Sequence, residues 1–185
     1  HQRLSVEIYH NQCKVTVFGP RRFSQPILTC NLFIHCQKQI GEDLGKVFSD
    51  KQFSDIKIQC EGQSFDCHMD VLDARSPDFM AMFQSNMKEK QTNTVNIDDC
   101  RAGIVDKMLN FIYTGNVSSP DTISGIISEL FKAADKYQLD LIKDFSEESL
   151  CSNLKVNNCL EYLVLGDMHH TSKLKKLALI LVVER

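Results

Sequence analysis

The side chains able to do chemistry are scattered along the chain. Eight cysteines stand at 13, 30, 36, 60, 67, 100, 151 and 159, and no two are spaced C-x-x-C. A zinc site or a dithiol redox centre would need that spacing to bring two sulfurs to one point. The cysteines therefore read as free thiols. Cys30, Cys60 and Cys159 fall in apolar phase, as small buried hydrophobes do, and unpaired thiols suit a reducing, intracellular setting, nuclear or cytoplasmic. His169-His170 lacks a third ligand at zinc spacing. Adjacent helical residues also diverge by about 100°, so the pair reads as a helix end answering the C-terminal dipole. No Gly-rich phosphate loop, G-x-S-x-G or H-E-x-x-H occurs. Asp55, His68 and Arg75 are the only set that could be imagined as an acid–base cluster. The expectation is a non-enzyme with no metal and no cofactor. The polar run QSNMKEKQTNT carries one conspicuous apolar residue, Met87, with Glu89 two residues on; by its residues alone it is either an ordinary solvated loop or a small binding tip. An unbranched thioether can fill a shallow apolar cleft. A carboxylate two residues on can pair with a polar group at the rim and set orientation.

The composition, 43% hydrophobic and 24% charged over 185 residues, is that of an ordinary soluble chain of one or two domains. A net charge of −3 offers no basic surface for nucleic acid. No apolar run approaches the roughly 18 residues of a membrane span; Leu177 to Val183 is too short and follows Lys173, Lys175 and Lys176. The chain opens on His1 without a signal-peptide layout and stops at Glu184-Arg185 inside an apolar helical run, so it is expected to be a fragment.

These residues must be positioned by elements of two periods. Over 1–38, the alternations Leu4/Val6/Ile8, Cys13/Val15/Val17 and Leu28/Cys30/Leu32/Ile34/Cys36 predict three strands. Such a meander is too small to close a core alone. Ile40, Leu44 and Val47 then share one face of a short helix over 39–52. From Phe53 the pattern predicts a hairpin: Ile56/Ile58/Cys60, a Glu61-Gly62 turn, then Phe65/Cys67. A short helix with Met69, Val71 and Leu72 follows. Ser76-Pro77-Asp78 spells N-cap, N1 and an acidic first turn before Phe79, Met82 and Phe83. Val95 and Ile97 predict another strand. Residues 101–115 predict a two-sided apolar helix stopped by Gly115, with Phe111 in the core. Ser119-Pro120-Asp121 opens a helix carrying Ile123, Ile126, Ile127, Leu130, the core residue Phe131, Ala134 and Tyr137. Further helices carry Leu141, Ile142 and Phe145; Val156, Cys159, Leu160, Leu163 and Val164; and Leu174, Leu177, Ala178 and Leu181.

The run FSDIKIQCEGQSFDCHMDVLDARSPDFMAMF resembles the opening of a BTB (POZ) domain, through Phe53-Ser54-Asp55, the hairpin, His68, Ala74-Arg75-Ser76 and Phe79…Met82-Phe83. Phe111-Ile112-Tyr113-Thr114-Gly115 and Ala133-Ala134-Asp135-Lys136-Tyr137 match two more signatures in order. The resemblance is closest to the MATH–BTB branch, typified by speckle-type POZ protein. It implies an α+β fold divided into the last strands of a MATH β-sandwich (1–38), a BTB/POZ domain (39–155) and the start of a BACK-like helical extension (156–185).

The resemblance also implies partners. Ile40, Leu44, Val47 and Val71 match positions at a two-fold homodimer interface, and Met87 and Glu89 match the hydrophobic-x-Glu grip on the cullin-3 N-terminal region. Phe83, Tyr113 and Tyr137 border that cullin surface. Asp55, His68 and Arg75 become structural anchors. The implied function is a dimeric adaptor bringing substrates to a cullin-3 RING ubiquitin ligase, with a substrate peptide held by a MATH domain largely absent here. The alternative is a cullin-independent POZ module for self-association, scaffolding or transcriptional regulation.

Overall fold

Glu61 and Gly62 reverse the chain through two consecutive positive φ angles, 48° and 76°. That is the backbone twist a tight hairpin between right-twisted strands requires. The computed structural model that contains this turn describes residues 3–9, 12–18, 25–84, 92–116 and 125–183, with side chains from residue 34 onward. The turn joins β3 (Ile56–Cys60) to β4 (Gln63–Cys67), with Ile58 opposite Phe65. A short strand β5 (Thr94–Asn96) pairs in parallel on the other side of β3, giving the order β4-β3-β5. Ile56, Ile58 and Cys60 point into the core while Lys57 and Gln59 stay exposed, as the alternation predicts.

The N-terminal segment departs from expectation in one element. β1 (Arg3–Tyr9) and β2 (Gln12–Phe18) form an antiparallel pair with Val6 opposite Val15. The predicted third strand over Leu28–Cys36 is instead helix: α1 runs unbroken from Gln25 to Asp50. The reason lies in the arithmetic of the pattern. Leu28, Leu32, Cys36, Ile40, Leu44 and Phe48 recur at every fourth residue. Any such series also satisfies alternation by twos, but only the helical spacing continues past Lys38. Pro26 lies in the first turn, where its missing N–H costs no intrahelical bond.

The other helices are α2 (Met69–Arg75), α3 (Pro77–Gln84), α4 (Ala102–Thr114), α5 (Ile127–Lys136), α6 (Asp140–Ser152), α7 (Cys159–Met168) and α8 (Ser172–Val183). Ser76 caps α3 as predicted: its Oγ accepts from the Phe79 N–H at 3.3 Å and donates to the Tyr137 carbonyl at 2.7 Å. Gly115 ends α4 in the left-handed region, at φ 69°, with its N–H on the Phe111 carbonyl. The second predicted cap, Ser119-Pro120-Asp121, lies outside the described residues, as does Ile123. Helix α4 is the centre of the domain; Ile104, Val105, Met108, Leu109, Phe111 and Ile112 are all buried in one core with β3, Phe79 and Phe131. Among the described residues no helix is long and apolar enough to cross a membrane.

Candidate protein–protein interface

Helix α1 lies on the C-terminal end of α4 because two glycines let it. A Cβ built on Gly41 would stand 2.3 Å from the Thr114 carbonyl oxygen, and one on Gly45 would stand 2.9 Å from Thr114 Cγ2. One turn on, the Phe48 ring stacks on Tyr113 at 4.5 Å between centroids and 20° between planes. This contact decides which side of α1 faces outward. Leu44 and Phe48 are half-buried against the core, while Ile40 is 60% and Val47 40% exposed. Val71, on α2, is half-buried. Of the sequence-predicted dimer residues, the structure therefore leaves Ile40 and Val47 exposed on α1 and half-buries Leu44 and Val71 against the core.

Tyr113 is also the hub of a polar cluster. Its hydroxyl oxygen accepts from the His68 backbone N–H at 2.7 Å and lies 2.9 Å from His68 Nδ1. His68 Nε2 is 2.7 Å from the Gln52 carbonyl, which can only accept. In the neutral ring the proton thus sits on Nε2, and Nδ1 accepts from the Tyr113 O–H. Burial, before any charge effect, raises the Tyr113 phenol well above its ordinary range and pushes the neighbouring Cys67 thiol up to about 12. Asp55 Oδ1 accepts from the Met69 N–H at 2.8 Å. Arg75 donates from Nε to the Ile112 carbonyl at 3.1 Å and lies over the Phe111 ring. Each member of the imagined acid–base set is thus engaged in a bond that ties backbone segments together.

The other predicted contact residues fare differently. Met87 and Glu89 lie outside the described residues, on the segment between α3 and β5. Phe83, Tyr113 and Tyr137 are 5%, 1% and 1% exposed. They are core groups in this chain, packed against Phe79, Phe48 and one another's helices, and a partner can touch only what they position. Cys60 and Cys159 are buried free thiols, as expected; Cys36 is free but exposed on α1, and the side chain of Cys30 lies outside the described residues. Among the described residues no cluster of His, Cys, Asp and Glu could hold a metal.

Sequence reasoning missed three features. Glu61 reaches from the hairpin turn to accept from the Ala102 N–H at 2.9 Å, supplying α4 with an N-terminal partner. His169 stands at the end of α7, as expected, but its ring crosses to another helix: Nδ1 meets Asp135 Oδ2 at 2.7 Å, and Asp135 also takes Lys143 Nζ. Burial would raise the Asp135 carboxyl, but the bonds from His169 and Lys143 outweigh it and hold the group below its ordinary value. The third is Phe53, read as part of a motif but found 91% exposed at φ 61°. A Gly-x-x-x-Gly spacing within an amphipathic helix was the one sequence signal for the α1–α4 contact.

A three-stranded β4-β3-β5 sheet flanked by helices, with Ile40 and Val47 exposed on α1, matches a known domain. Residues 44–154, more than half of the chain, match the family model of the BTB/POZ domain. The chain belongs to the BTB/POZ family. The BTB domain of zebrafish PATZ1 is similar in structure, with a TM-score of 0.51 at 19% identity, covering 61% of this chain and 89% of that one. The BTB (Tramtrack and Bric a brac) domain of human gigaxonin gives a TM-score of 0.48 at 19% identity, covering 71% of this chain and 98% of that one. The BTB/POZ domain is a protein–protein interaction module, and domains of this family commonly self-associate as dimers. The BTB/POZ match ends at residue 154. Beyond it, α7 and α8 pack as a tight hairpin in which a Cβ on Gly166 would meet the Lys175 backbone nitrogen at 2.9 Å.

Proposed function

We propose that this chain is a non-catalytic, dimeric adaptor of the MATH–BTB kind, which holds a cullin-3 RING ubiquitin ligase through its BTB/POZ domain. The observation that carries the reading is the outward face of α1. Ile40 and Val47 stay exposed on a BTB/POZ domain whose Asp55, His68 and Arg75 are all engaged in structural bonds. Such a surface gains by association, since an apolar, self-complementary patch is what a two-fold interface buries at its centre. Met87 and Glu89 supply the handle for cullin-3 on the segment that joins α3 to β5. On this reading the β1–β2 pair belongs to a MATH domain and α7–α8 to a BACK-like extension. Two copies raise the effective concentration of a substrate near the ligase without breaking a bond themselves. The setting is intracellular, in nucleus or cytoplasm.

The test is capture of the cullin-3 N-terminal region by the chain, compared with Met87→Asp and Glu89→Lys. The expected result is capture by the parent and loss of at least about tenfold in affinity for each variant, as for an anchor residue in a cleft. No capture by the parent, or capture indifferent to both changes, replaces this reading with a cullin-independent POZ module for self-association or scaffolding.

A further inference from the structure

The turn between α1 and β3 is built to hold an aromatic ring in solvent. Phe53 is 91% exposed, more than any other large apolar side chain among the described residues. Its φ of 61° follows a φ of 55° at Lys51, and left-handed backbone is unfavourable for residues with a Cβ. Folding back inward would relieve neither angle, because the turn is pinned on both sides of the ring. The Gln52 carbonyl is held by His68 Nε2 at 2.7 Å. Asp55 is held twice, its Oδ1 by the Met69 N–H at 2.8 Å and its own N–H by the Cys67 carbonyl at 3.1 Å. His68 is in turn fixed by Tyr113, on which α1 rests through Phe48. The ring is therefore presented by the same framework that orients the outward face of α1.

We infer that Phe53 is a preformed anchor covered by α1 of a second copy of this chain. The inference rests on the self-association proposed above and extends it. Phe53 lies six residues past Val47, in the turn that follows α1, and that turn is bonded to His68, three residues before Val71. Phe53 thus lies, exposed, in the turn that leads directly out of the helix carrying Ile40 and Val47. A two-fold axis near Leu44 would set Ile40 of one copy against Val47 of the other. It would also carry each Phe53 turn toward the earlier half of the opposite helix. Area argues the same way. A phenylalanine this exposed offers roughly 150–250 Å² for burial, against about 800 Å² per partner in a stable interface. The ring would supply on the order of a quarter of what a lasting dimer needs, more than Ile40 or Val47.

The test uses the whole 185-residue chain. Sedimentation over a concentration series is compared for the parent, Ile40→Asp, Phe53→Ala and Phe53→Gly. The expected result is a dimeric parent, a monomeric Ile40→Asp, and a dissociation constant raised at least about 30-fold by either change at Phe53. Phe53→Gly separates folding from association: glycine suits a φ of 61°, so its melting temperature holds or rises while its dimer weakens. The chain has no tryptophan, so Phe53→Trp gives a sole indole, whose emission should move to shorter wavelength as concentration passes the dissociation constant. If both Phe53 changes dimerise like the parent while Ile40→Asp does not, or if the indole stays solvent-like in the dimer, the anchor is refuted and self-association stands. A parent that is monomeric throughout overturns self-association itself, and the anchor with it.

Discussion

One substitution made at two glycines reads the helix packing directly. Gly41 and Gly103 both lie inside helices, α1 and α4. A methyl at Gly103 meets nothing within 4 Å, whereas one at Gly41 stands 2.3 Å from a backbone oxygen and 3.2 Å from its carbon. At Gly103, alanine gains only helix propensity, a few tenths to about 1 kcal/mol. At Gly41 the same gain is set against a clash with Thr114 backbone, which cannot rotate away as a side chain can. Restoring ordinary contact needs α1 to lift by about 1 Å, which also parts Phe48 from Tyr113. Overpacking of this kind costs typically about 1–3 kcal/mol. The net expectation is Gly41→Ala destabilised by about 1–2 kcal/mol and Gly103→Ala neutral or stabilised. Urea denaturation of the two variants beside the parent measures the difference. If Gly41→Ala is as stable as Gly103→Ala, α1 does not cross α4 at Thr114, and the orientation of the Ile40–Val47 face fails with it.

Two further outcomes follow from the polar contacts. Ser76→Ala removes both the cap of α3 and the bond to the Tyr137 carbonyl from a fully buried site, and should cost about 1–3 kcal/mol, read as a lowered urea midpoint. Asp135→Asn should cost about 1 kcal/mol at neutral pH. Because the Asp135 carboxyl is held below its ordinary value, its contribution is complete above the usual carboxylate range and is lost as pH falls through the lowered folded value. Urea midpoints of parent and Asp135→Asn should therefore converge in acid. A gap independent of pH would show that the Lys143–Asp135–His169 contact is not what the charge supports.

What could be read in advance was what neighbours in sequence decide. The Glu61-Gly62 turn, the Ser76 cap and the Gly115 stop each depend on the conformation of a few consecutive residues, and each is found where the residue types put it. The start of α1 was misread because spacing by four contains spacing by two; only the continuation to Phe48 separates them. The interface residues were half legible. Ile40 and Val47 share a face by periodicity alone, but that Leu44 and Phe48 turn inward follows from Gly41 and Gly45 meeting Thr114, some seventy residues away. Phe83, Tyr113 and Tyr137 have types equally suited to surface anchors and to cores, and only packing decides between them. His169 ends its own helix, as the residue types imply, but its bond to Asp135 leaves no local signal because that partner belongs to a different helix.

The parallel pairing of β5 with β3 carries a consequence for how the chain is made. Lys57 pairs with Thr94, so the hairpin leaves the ribosome with one flank of its middle strand bare, and α2 and α3 must follow before that flank is closed. At the roughly 5–20 residues per second of synthesis, the bare flank persists for a few seconds. Its shield in that interval is the charge and polarity of Lys57 and Gln59 on the solvent side, the kind of side chains that discourage a stray strand from adding itself.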